Sequence, residues 1–263
     1  MPVVRLPLHG VRVVEMAGNE AAAYCGRILG DMGAEVIRVE SRRTPEAEGP
    51  VSLNCNKYGF SLDASSGLGR KLLLRLAQVA SILLAPEPST IGLSRIARAN
   101  PSLAIVTFSP PDSAAAAHAG GAFAAGTAAF ALWRRRRGGV GLKIEIDPQA
   151  CLQSQLGEGY LAAQGAMVHP IAPVASVGQP ALPDAAEDGL REEVATADGT
   201  VARLPGPAWS LSETPVHIRL PPPALGEHDE YVLRDILGLS GRRIASLRRR
   251  GVIRPAPFSE GLD

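Results

Sequence analysis

Aromatic residues make up only 4% of this 263-residue chain, so its core has to be built mainly from Ala, Leu, Val and Ile. Cysteine is nearly absent too. Cys25, Cys55 and Cys151 lie far apart and match no metal-ligand spacing, and an odd, sparse count fits reduced, buried thiols in a cytoplasm. Apolar runs are expected to fall short of the roughly 20 residues that span a bilayer. The start, "MPVVRLPLHG", lacks a signal peptide's apolar segment and cleavage site. A net charge of +1 gives the whole protein no electrostatic pull toward nucleic acid or membrane.

Several ligand motifs are missing as well. The first strand–helix turn, "EMAGNEAAAYCG", holds Gly18 and Gly26 too far apart for backbone amides to cradle a dinucleotide pyrophosphate. There is no G-x-x-x-x-G-K-[ST] and no G-x-S-x-G, which removes a P-loop and a nucleophile elbow.

What remains is an ordinary globular pattern, 46% apolar and 20% charged. "VRVVEM" and "EVIRVE" read as strands around the helical "EAAAYCGRILGDMGA", in which Ala21, Cys25, Ile28, Leu29 and Met32 line one face before Gly33 caps it. The pattern recurs through "YGFSLD", "SGLGRKLLLRLAQVA", "SILLA", "IGLSRIARANP" and "LAIVTF". Strands alternating with helices predict an α/β fold, an open, doubly wound, mostly parallel sheet with helices on both faces. Further on, residues 120–137 read as helix, "LKIEID" as strand and "PQACLQSQLGEGYLAAQGA" as helix. "REEVATADGTVARLPG" reads as a hairpin with Asp198-Gly199 in its turn, and two helices follow, joined at "GLSG" with Ser240 as N-cap. The expected division is an α/β domain over 1–168, a linker over 169–190, and over 191–263 a hairpin and helical pair packing back on the first domain.

The arginine clusters 134–137, 242–243 and 248–250 read as helix ends, where cations complement the dipole. Only Trp133 accompanies them, too little for nucleic-acid readout. His9, His118, His169, His217 and His228 are dispersed; His228 in "GEHDE" is expected to cap a helix or stand exposed.

Taken together, "LHGVRVVEMAG", "CGRILGDMGAEVIRVES", "NCNKYGFSLDASSGLGRKLLLRLAQVASILL", "ANPSLAIVTFS", "AAGTAAFALWRRRRGGVG" and "PALGEHDEYVLRDILGLSGRRIASLRRRGVI" resemble the family III CoA-transferases of the CaiB/BaiF type. The resemblance covers roughly 1–145 and 190–254. It implies a CoA-binding α/β domain, a smaller inserted domain, and paired chains with the active site between domains of different chains. It also implies CoA transfer from an acyl-CoA to a carboxylic acid, through an aspartate that attacks the thioester; a racemase branch uses His and Asp for proton transfer. By this resemblance Arg42 and Arg43 meet CoA phosphates, and Leu62 lies where backbone contacts to the adenine are expected. No permanently bound cofactor and no metal is expected; CoA or acyl-CoA is the ligand.

The departures from the family are local. Aligning "AGGAFAAG" and "RRRRGGVG" puts Ala117 where the family keeps its aspartate, with His118 beside it and Asp112 five residues upstream. The inserted domain is expected to be largely missing. The expectation is a degenerate member that binds CoA or acyl-CoA, or partners a full-length paralogue, as a homodimer or heteromer in the cytoplasm. The alternatives are an active CoA-transferase or racemase using Asp112 or a partner chain's residue, and an interaction protein with no ligand.

Overall fold

The computed structural model describes residues 5–41, 50–89, 91–156, 191–195 and 199–254. Six strands form one parallel sheet: β1 (Arg12–Met16), β2 (Glu35–Glu40), β3 (Lys57–Ser61), β4 (Ile82–Pro86), β5 (Ala104–Phe108) and β6 (Lys143–Ile146). Their spatial order is β3-β2-β1-β4-β5-β6, so the chain reverses direction across the sheet between β1 and β4. The doubly wound architecture is therefore as expected, with its crevice at the carboxyl ends of those two strands.

Both faces of the sheet are buried, which is why the strands read as nearly continuous apolar runs. Val13, Val36, Ile82, Leu84, Val106 and Phe108 pack beneath α1 (Glu20–Asp31), α4 (Ala114–Arg136) and α5 (Pro148–Leu156). Val14, Ile37, Phe60, Leu83 and Ile105 face α2 (Gly67–Gln78), α3 (Leu93–Ala99), a π-helical turn at Tyr231–Ile236 and α6 (Gly241–Arg249). The alanine-rich stretch is what lets α4 lie close to α1. A Cβ on Gly121 would sit 2.7 Å from the Ala21 carbonyl oxygen, and one on Gly120 would press on Pro148. α4 starts earlier than the periodicity suggests, because the Ser113 side chain, two residues after Pro111, accepts from the Ala116 amide and caps it. α4 also corrects the expected shortness of apolar runs: by length and composition it could cross a membrane, though half of it is buried in the fold.

Three charged strand residues are buried on the α1 side. Glu15 Oε1 accepts from Arg38 Nη1 and Lys57 Nζ, each at 3.0 Å, and Lys57 also donates to the Ala23 carbonyl at 2.8 Å. Arg38 Nε reaches Glu40 at 2.7 Å. Gly26 lies directly above this cluster, where any Cβ would overlap Glu15.

After the hairpin of β7 (Arg191–Ala195) and β8 (Val201–Pro205), the chain runs along the outer edge of β3. Asn56, at φ 58°, accepts from the amides of Arg219 (2.7 Å) and Leu220 (3.0 Å) and donates to Asp31 (2.6 Å). Further along, the Asp229 carboxyl receives the Ser61 amide at 2.8 Å and meets the Ser61 hydroxyl at 2.7 Å, and that hydroxyl also accepts from the Arg254 amide. His228 corrects the expectation: it is half-buried, accepts from the Gly59 amide at 3.2 Å and sits edge-on to Tyr58. Ser240 occupies the N-cap position of α6 without a side-chain cap bond. Arg242 and Arg243 open α6 rather than close a helix, whereas Arg134–Arg136 and Arg248–Arg249 do stand in last turns.

Candidate functional site

The carboxyl edge of the sheet is where this architecture places ligands. At its switch point, the amino end of α1 is held by the chain's own Asn19. The Asn19 Oδ1 accepts from the Ala22 amide at 3.1 Å, while Nδ2 donates to the Phe108 and Ser109 carbonyls at 3.5 and 3.2 Å. One amide thus ties α1 to the loop after β5 and fills the spot where other doubly wound folds seat a phosphate on a helix end. This latch is legible only in space, since its partners are about ninety residues apart.

Beyond the latch lies an open cleft of about 380 Å³ over β4, β5 and β6, lined by Glu87, Thr107, Ser109, Lys143, Glu145, Ile146 and Asp147. Thr107 is 1% exposed, and its hydroxyl has no hydrogen-bond partner among the described residues. A buried, unpaired hydroxyl is costly unless something completes it. Lys143 and Glu145 pair across the cleft mouth; their hydrogen bond holds the ammonium pKa up and the carboxyl pKa down. Asp147 caps α5 by accepting from the Gln149 and Ala150 amides. The lining has three carboxylates against one ammonium, which disfavours phosphate. It contains no imidazole or thiol, so the groups it offers for chemistry are its carboxylates and the Ser109 hydroxyl.

The residues singled out from sequence scatter around this edge. Ala117 is fully buried in α4, among the residues packed on α1, and so faces away from solvent. His118 turns outward, its Nδ1 2.7 Å from the Ala114 carbonyl and its ring 4.5 Å from that of Tyr24. Asp112 is exposed in the loop just before α4. Leu62 is buried in the other core; its amide donates to Glu40 and its carbonyl accepts from Ala64, so its amide is already committed within the chain. Arg42 and Arg43 lie outside the described residues, as do the expected linker 169–190 and part of the helix that α5 begins. Among the described residues, no group of three or more His, Cys, Asp or Glu side chains is arranged to hold a metal ion.

Because Ala117 points into packing, Ala117→Asp is expected to destabilise the protein by about 2–3 kcal/mol through an unpaired buried carboxylate. Urea denaturation would read that loss, and an unchanged midpoint would mean that the α1–α4 packing at this position is wrong.

Comparison with known proteins gives this geometry a context. Residues 8–110 match the family model for CoA-transferase family III. Alpha-methylacyl-CoA racemase from Mus musculus is 35% identical over 102 residues, covering 36% of this chain and 26% of the racemase. Cinnamoyl-CoA:phenyllactate CoA-transferase from Clostridium sporogenes is 38% identical over 91 residues, covering 28% of this chain and 22% of that enzyme. The matches thus span about a quarter of these relatives' length. A CaiB/BaiF family protein from Brucella suis shares the fold at a TM-score of 0.68 and 17% identity, over 88% of this chain and 100% of that one. Rv3272 from Mycobacterium tuberculosis does so at 0.67 and 18%, over 85% and 98%.

Proposed function

We propose that this chain, a CaiB/BaiF-type protein whose residues 8–110 match CoA-transferase family III, binds a CoA thioester and does not complete CoA transfer alone. The observation that carries this reading is Ala117. Where the resemblance puts a nucleophilic aspartate, the chain has a methyl group buried against α1. Acyl transfer by this route needs a carboxylate that can form an anhydride with the acyl group, and a methyl group cannot do so. Neighbouring His118 is engaged with its own helix and Tyr24.

The ligand's phosphates are assigned to Arg42 and Arg43, which follow β2 in the sequence. A basic pair suits phosphate, and three carboxylates do not. With the Leu62 amide committed to Glu40, adenine contacts at that turn fall to neighbouring side chains. The thioester end is then free to be acted on by another chain, either a full-length paralogue or a second copy supplying the missing carboxylate. The active-enzyme alternative through Asp112 would require that exposed loop to reach the thioester.

Calorimetric titration with CoA tests the reading. Binding is expected, and an Arg42→Ala/Arg43→Ala variant should bind at least about tenfold more weakly, since two charge-assisted phosphate contacts are lost. No heat at about 1 mM CoA, a concentration that reveals even weak sites, would overturn it. Exchange of labelled CoA between an acyl-CoA and a free carboxylic acid by the chain alone would overturn the second half.

A further inference from the structure

A second cavity, of about 330 Å³, opens at the amino edge of the sheet, among the starts of β1, β2 and β3 and the segment that laces β3. Doubly wound folds seat their main ligand at the other end of the strands, so a strand's length of about 17–20 Å separates the two places. The chemistry of this cavity comes from Arg12, Tyr58 and Arg219, with the exposed His9 beside them and one carboxylate, Glu35.

Glu35 is already committed. Arg12 Nε donates to its Oε2, and the Tyr231 hydroxyl donates to its Oε1. The two Nη groups of Arg12 have no partner among the described residues. Arg219 is held at both ends: its amide donates to Asn56 at 2.7 Å, and one Nη donates to the Gly30 carbonyl at the end of α1. Covering a helix end uses only one of its three nitrogens, and the half-charge there is smaller than the arginine's whole one. Asp31, whose charge Arg219 also feels, is held by Arg27 at 2.7 Å and Asn56 at 2.6 Å. The Tyr58 ring is clamped between Tyr231, stacked at 5.1 Å, and His228, edge-on at 5.0 Å. Its hydroxyl has no hydrogen-bond partner among the described residues. Burial, and then the Glu35 charge, push the Tyr58 pKa up, so that hydroxyl stays a donor at neutral pH.

We infer that this cavity is a second ligand site, which takes a small molecule by its oxyanion, a carboxylate or a phosphate, between Arg12 and Arg219. The planar edge of a guanidinium matches either anion with paired N–H bonds, and the Tyr58 hydroxyl adds one more donor. All three side chains are fixed before a ligand arrives, so little ordering is lost on binding. The volume stands at the small end of ligand pockets, which suits a small organic acid or phosphate ester. The same anion is turned away from the cleft at the carboxyl edge, where three carboxylates accompany one ammonium.

The inference does not rest on the CoA reading, and the experiment keeps the two apart. The full chain is titrated calorimetrically with succinate and with inorganic phosphate, against sodium chloride at equal ionic strength. At least one of the two should bind with a Kd of about 1 mM or tighter, and the one that does tells which oxyanion the site prefers. Arg219→Gln should weaken that binding at least about tenfold, and Tyr58→Phe, which keeps the ring stacking, about tenfold. Tyr58→Phe should still bind CoA as the parent does, and Arg42→Ala/Arg43→Ala should still bind the small anion. Thermal midpoints are read alongside, because Arg219 also closes α1; should Arg219→Gln fail to fold, Tyr58→Phe decides. No binding of either anion at about 10 mM, an unchanged affinity in Tyr58→Phe, or loss of the anion in the Arg42/Arg43 variant would each overturn the inference.

Discussion

Glu15→Gln is expected to cost the fold about 3–5 kcal/mol, the range for breaking a buried ion pair from one side. The substitution is nearly isosteric, so no cavity accounts for the loss. Lys57 is wholly buried, and Glu15 is its carboxylate partner; after the change its ammonium keeps the Ala23 carbonyl but no counter-charge. Arg38 fares better, since Glu40 still holds it at 2.7 Å. Burial already pushes the Lys57 pKa down, with Glu15 opposing; without Glu15 it should fall further. The folded state would then bind fewer protons than the unfolded state, so the variant's stability should rise with pH up to about 10.4, the free lysine value. Glu15→Leu/Lys57→Met should recover more than half the loss, because an apolar replacement of both charges removes the desolvation cost with them. Urea titrations of the single and double variants between neutral and alkaline pH measure all of this. A single variant within about 1 kcal/mol of the parent, the size of a surface pair, would mean that Glu15 does not hold Lys57.

Asp229→Asn should flatten a pH dependence rather than shift a midpoint uniformly. Asp229 is 1% exposed, and burial raises its pKa from 3.8 to about 7, against the lowering effect of the Ser61 bonds. Between those values the folded state keeps a proton that the unfolded state has released. Stability therefore falls as pH rises through this window, by up to about 1.4 kcal/mol per unit, and levels off above it. Over the whole window the aspartate protein should lose about 3–4 kcal/mol relative to the asparagine variant. The Ser61 hydroxyl suits either protonation state, since it can donate to the carboxylate or accept from the acid. Thermal unfolding of both proteins from pH 4 to pH 8 gives the comparison; parallel curves would contradict a raised pKa.

The sheet and its helices were legible because both signals are local. Strands buried on two faces produce apolar runs, and Gly33 marks the stop of α1. The start of α4 was not legible, since an alanine run after two prolines has no periodicity and only the Ser113 cap fixes its beginning. Asn56, Lys57, Ser61 and Asp229 lie in stretches that carry the family resemblance, and in the fold they hold segments together. Their partners are up to 168 positions away, and no local pattern reveals that. Of the candidate site, the position of Ala117 could be read by alignment, but its direction could not. That depends on which face of α4 meets α1, and in a helix this rich in alanine the sequence hardly distinguishes the faces.

The way residues 217–229 and Arg254 lace the outer edge of β3 bears on how the chain is made. β3 emerges from the ribosome early, while the segment that covers its edge comes some 160 residues later. Until then its outer edge has unpaired amides and carbonyls, open to any passing strand. The protein's exposure to misassembly is therefore greatest during synthesis and ends only when its closing segment is available to seal the sheet.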